Sequence, residues 1–144
     1  MILLDTAVLV YALGEEHPLR EPCRSLIDAI GDHRVRATTT AEVIQEFVHV
    51  QSRRRDRADA AALARGFADL LAPLHIIHEE DLRSGLDLFV AHETLGAFDA
   101  ILAATVLRSD QVQTLVSTDR AFGRVRGLDW ADPARAGDLE RLGL

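Results

Sequence analysis

Ile2-Leu3-Leu4-Asp5-Thr6-Ala7-Val8-Leu9-Val10-Tyr11-Ala12-Leu13 is the stretch that decides the fold. The apolar triplet before Asp5 is too short for a helix and reads as a buried strand. Asp5 closes it, and Thr6 to Leu13 reads as a helix, whose start an Asp can cap. A buried strand that ends in an acid and runs into a helix is the opening half of a βαβ unit.

The same grammar recurs downstream. Pro18 and Arg20 to Ile30 form a second helix with Leu26, Ile27 and Ile30 on one face and Gly31 as its stop. Arg34 to Thr38 is the second strand. Thr39 or Thr40 then caps a helix in which Val43, Ile44, Phe47, Val48 and Val50 follow a 3.6-residue period. A helix from Asp56 or Asp59 carries Leu63, Phe67, Leu70 and Leu71 and ends before Pro73. Leu74 to Ile77 is read as a third strand, and Leu82 to His92 as a helix with Leu82, Leu86 and Phe89 turned inward. Phe98 to Leu107 is apolar nearly all round, so it is expected to be buried on several sides. Thr114 to Ser117 is the fourth strand. The remainder, with Gly123, Gly127, Leu128, Trp130 and Pro133, is read as loop with one short edge strand, and a terminal helix is expected from Ala134 to Leu142. Strands alternating with helices imply a mostly parallel sheet covered on both faces. The expected architecture is a three-layer α/β/α sandwich, one domain over residues 1–144.

Four acids fall at strand ends or helix starts of this scheme. They are Asp5, Glu42 after the second strand, Asp99 opening the apolar helix, and Asp119 after Leu115-Val116. Singly, each has an ordinary explanation as a cap, a charge at a helix start or a solvated loop residue. Together they fall on one predicted edge of the sheet, and burying unpaired carboxylates costs several kcal/mol. A divalent cation with a preference for oxygen offsets that cost. Asp5 and Asp99 are the expected direct ligands, with Glu42 and Asp119 completing the set. Glu46 is the alternate to Glu42, because the two share a helix face at i, i+4 spacing. Thr6, Ser117 and Thr118 are placed to hydrogen-bond these carboxylates from behind.

The formal net charge is −7, from 16 basic and 23 acidic residues. All the basic residues are arginine, and Arg53, Arg54 and Arg55 concentrate them in one run with Arg57. That run is the expected contact for an RNA backbone or for a protein partner's rim. The lone Cys23 excludes an internal disulfide and a thiolate zinc cluster. No apolar run approaches the roughly 20 residues that cross a bilayer, no leader of basic then apolar residues is visible, and the chain is read as cytoplasmic. The histidines lack zinc spacing, and there is no phosphate-binding or dinucleotide glycine motif.

Leu3-Leu4-Asp5-Thr6, Thr40-Ala41-Glu42-Val43, Phe98-Asp99-Ala100-Ile101-Leu102-Ala103-Ala104 and Leu115-Val116-Ser117-Thr118-Asp119, in this order, resemble the PIN-domain ribonucleases, in particular the VapC-type toxins of bacterial toxin–antitoxin pairs. The resemblance spans nearly the whole chain. It implies an α/β/α fold, Mg²⁺ or Mn²⁺ in an acidic pocket, RNA as substrate, a small antitoxin as inhibitor and a homodimer. Two rivals remain: a non-catalytic RNA- or protein-binding module on the same fold, and an acidic-site magnesium-dependent phosphatase of the haloacid-dehalogenase kind. The second wants another Asp two residues after Asp5, where this chain has Ala7.

Overall fold

The computed structural model describes residues 1–144. Its elements run β1 (Ile2–Leu4), α1 (Thr6–Leu13), α2 (Arg20–Gly31), β2 (Ala37–Thr38), α3 (Ala41–Gln51), α4 (Arg57–Leu70), α5 (Glu79–Ala91), α6 (Ala97–Arg108), β3 (Thr114–Val116), a 3₁₀ turn (Arg120–Arg124), β4 (Asp129–Ala131) and α7 (Ala136–Arg141). The four strands form one parallel sheet in the order β2-β1-β3-β4. Successive residues of a strand point to opposite faces. Every residue of β1 and of β3 is buried, so helices cover the sheet on both sides, as the α/β/α reading expects. One contiguous core joins β1 and β3 to Phe47, Leu26, Leu102 and Phe122. Burial pushes the Cys23 thiol up to about 12, which leaves it inert at the core.

Two of the expected strands are corrected. Leu74 to Ile77 is not a strand of the sheet. Only His75 pairs, in a single parallel bridge with Thr40, where its N–H donates to the Thr39 carbonyl at 2.8 Å. The segment flanks the end of the two-residue β2 and turns at once into α5, whose start is closed by a reciprocal box between His78 and Asp81. The second strand is likewise shorter than Arg34 to Thr38. The N–H groups of Arg34 and Val35 donate to Ala29 and finish α2, leaving only Ala37 and Thr38 to pair.

The helical period of α5 is right and its phase is wrong. Leu82, Leu86 and Phe89 are 42%, 47% and 45% exposed, and Val90 is 82% exposed. The buried face is Asp81, Gly85 and Leu88 instead. Gly85 causes this rotation. A Cβ there would lie 2.5 Å from Ile101 Cα, so α5 presses its backbone directly onto α6. Asp81 is also drawn inward, where Arg108 Nε donates to it at 3.0 Å.

Candidate active site

In an open parallel sheet, ligands bind outside the carboxyl ends of strands where the connections diverge to opposite sides. Here that place is the crevice between β1 and β3. β1 leads toward β2 on one side, and β3 leads toward β4 on the other. Asp5 leaves the end of β1 with its N–H donating to the Val116 carbonyl at 3.0 Å. It caps α1, and Oδ1 accepts the Thr6 N–H at 2.7 Å. Ser117, at the end of β3, donates its hydroxyl to Asp5 Oδ2 at 2.6 Å. The Ser117 hydroxyl in turn accepts the Asp119 N–H at 3.1 Å. Asp119 then caps the 3₁₀ turn through the Ala121 N–H at 2.8 Å. Asp99 comes down from the first turn of α6.

Asp5 is 6% exposed. Burial raises its carboxyl from 3.8 to about 6; the Ser117 and Thr6 hydrogen bonds oppose the rise, and the negative charges of Glu46 and Asp119 add to it. Asp99 is raised to about 7, by burial first and then by the charges of Asp5, Asp119 and Glu46. Nothing opposes that rise.

The fourth carboxylate of the cluster is Glu46. It accepts a hydrogen bond from the Thr6 hydroxyl, and its charge acts on both Asp5 and Asp99. Glu42, favoured from sequence, is exposed and faces another cavity with His78, Glu79, Leu82, Phe98 and Ile101. The reason is register. Thr40 caps α3, so Glu42 sits beside the edge strand β2, and α3 reaches α1 only one turn later. Of the supporting residues, Thr6 and Ser117 touch the carboxylates as expected, while Thr118 bonds to none of them. Sequence reasoning missed Trp130 as part of this site. Its Nε1–H donates to the Ser117 carbonyl at 2.9 Å and fixes the residue that holds Asp5. Its being the chain's lone Trp was the available signal.

Asp5 and Asp99, raised by burial and by the neighbouring negative charges of Glu46 and Asp119, form with them a donor set that calls for positive charge. No three His, Cys, Asp or Glu side chains already stand in a ready-made ligand sphere. Mg²⁺ keeps several waters and takes one or two carboxylates directly, so it does not need a closed protein cage. Asp5, Glu46, Asp99 and Asp119 are the residues that fit it. Of the arginine run, Arg53 is exposed, while Arg54 and Arg55 line a separate cavity beyond the ends of α1 and α3.

The family model described as "PIN domain" matches residues 2–128. The chain is 51% identical over 144 residues to Ribonuclease VapC7 of Mycobacterium tuberculosis, covering 99% of each chain. It is 31% identical over 131 residues to Ribonuclease VapC13 of the same organism, covering 89% of this chain and 97% of that one. Its fold matches a chain in the crystal structure of VapBC2 from Rickettsia felis bound to a DNA fragment from their promoter. That match has TM-score 0.69 and 17% identity, over 92% of this chain and 98% of the other. The family assignment removes the phosphatase rival. The chain belongs to the PIN-domain family, among the VapC ribonucleases.

Proposed function

We propose that this chain is a divalent-metal-dependent endoribonuclease, the toxin of a toxin–antitoxin pair, with Mg²⁺ or Mn²⁺ held by Asp5, Glu46, Asp99 and Asp119. The observation that carries the reading is the convergence of those four carboxylates on the crevice between β1 and β3. When bound, the ion supplies the acidity that turns water into a nucleophile and the positive charge that offsets the phosphoryl transition state. The chain's own residues do the rest. Ser117 and the Thr6 N–H hold Asp5 in one rotamer, and the Thr6 hydroxyl holds Glu46. The Asp119 N–H ties the loop after β3 to the same serine. Asp5 is buried and Asp99 half-buried beside it, which limits screening by bulk water and preorganises the site for an ion and a phosphodiester.

The named ribonuclease relatives support RNA as the substrate, and the VapBC2 neighbour supports a small antitoxin as the partner. The homodimer belongs to the same proposal, supported by the outward apolar side chains of α5. So does a cytoplasmic location. The test is cleavage of RNA by the purified protein. EDTA stops it and added Mg²⁺ or Mn²⁺ restores it; cleavage that continues unchanged in chelator overturns the metal assignment.

A further inference from the structure

A second charged site lies away from the acidic crevice. A cavity of about 760 Å³ opens between the end of α1, the start of α2 and the turn after α3. Arg20, Arg54 and Arg55 line it together with Gln51 and one acid, Glu15. Three guanidiniums against one carboxylate leave a surplus of two positive charges, 3 − 1, in a protein whose net charge is −7.

The arginines of this cavity are unspent. The ion pairs of the chain use Arg24, Arg34, Arg83, Arg108, Arg135 and Arg141, and none uses Arg20, Arg54 or Arg55. Arg20 Nε is buried without any hydrogen-bond partner. A buried N–H left without a partner is costly, more so on a charged group. The buried Gln51 accepts from Arg55 Nε at 3.0 Å, which aims the rest of that guanidinium. A guanidinium with free donors in a fixed fork matches phosphate oxygens.

Position decides which anion. The helices α1 and α3 both touch the acidic crevice and both end at this cavity. Thr6 meets Glu46 at one end, and Leu13 and Gln51 both line the cavity at the other. The rise of a helix puts the cavity roughly 10 Å from Thr6 along α1 and roughly 8 Å from Glu46 along α3. A single strand crossing the crevice between these helices would present its next phosphates there. We propose that Arg20, Arg54 and Arg55, with Gln51, form a phosphate-binding site for the RNA strand beside the bond that is cut. The inference rests on the endoribonuclease reading. It adds residues that anchor the strand and take no part in cleavage.

The experiment measures binding of a fluorescein-labelled single-stranded RNA of roughly twelve nucleotides to the uncleaving Asp99→Asn protein across a salt series. Arg20→Gln and Arg54→Gln are made separately in that background, because Arg54 is exposed and its change leaves packing intact. Arg83→Gln on α5 serves as the control. Each phosphate contact removed lowers the slope of log affinity against log salt by about 0.7 for a single strand. Both cavity variants are expected to show that loss with a several-fold weaker affinity, while the control keeps the parent slope. Unchanged slopes in both cavity variants overturn the proposal. So does a result in which the variants lose binding of a charge-matched poly-Glu peptide but keep RNA binding, since the cavity would then serve a protein partner. Cleavage by the unsubstituted protein is scored in parallel. Its absence counts against the endoribonuclease reading, and the salt slopes still decide the cavity.

Discussion

Asp99→Asn is predicted to abolish cleavage and to stabilise the metal-free protein, with a gain that depends on pH. Asp99 is held at about 7 against an ordinary 3.8, by burial and by the charges of Asp5, Asp119 and Glu46. A carboxyl whose folded pKa is raised takes up protons on folding. Its contribution to stability is therefore full below about pH 4 and is lost as pH rises through about 7. The gap of 3.2, from 7 − 3.8, corresponds to roughly 4 kcal/mol at 1.36 kcal/mol per unit. Asp99 is partly solvated and shares its repulsion with Asp5, which halves the share belonging to it alone to roughly 2 kcal/mol. The amide removes that cost. At pH 8 in EDTA, the variant should melt roughly 6 °C above the unsubstituted protein, and at pH 4 the two should melt together. Thermal unfolding by circular dichroism at both pH values is the assay. A variant no more stable at pH 8, or one equally stabilised at pH 4, would refute the charge-crowding argument.

Two further outcomes follow from single contacts. Gly85→Ala places a Cβ 2.5 Å from the Ile101 backbone, so α5 must lift from α6. The expected cost is about 3 kcal/mol, read as a fall in Tm of roughly 10 °C; an unchanged Tm would show that the helices are not in that contact. Ser117→Ala removes the hydroxyl that holds the Asp5 carboxyl down, so Asp5 rises further. In EDTA the Asp5 carboxyl should titrate above its level in the unsubstituted protein, followed by NMR of the carboxyl carbon, and an unmoved titration would take Ser117 out of the site.

Much of this molecule was legible because its signals are local. The Ile2-to-Leu13 stretch announces a strand, a cap and a helix without help from the rest of the chain. Asp5, Asp99 and Asp119 were readable for the same reason, since each follows or opens an element whose direction the βαβ order fixes. What escaped depends on how elements meet. The apolar stripe of α5, Leu82, Leu86 and Phe89, stays outward, because Gly85 fits against Ile101 and turns the face of Asp81, Gly85 and Leu88 inward. Glu42 and Glu46 differ by one turn, and only the contact of α3 with Thr6 separates them. His75 has the residues of a strand around it but only a two-residue strand to lie against. Periodicity sets which residues share a face and says nothing of the neighbour that face will find.

One cluster of carboxylates, Asp5, Glu46, Asp99 and Asp119, is proposed to cleave RNA with a divalent ion. The most direct measurement is the single-turnover cleavage rate of one RNA in Mg²⁺ for Asp5→Asn, Glu46→Gln, Asp99→Asn and Asp119→Asn. Glu42→Gln stands beside them as the exposed glutamate of the same helix. Losses of about a hundredfold or more are expected for each of the four, with Glu42→Gln cutting like the unsubstituted protein. Near-full cleavage by Glu46→Gln together with a collapse in Glu42→Gln would contradict this assignment.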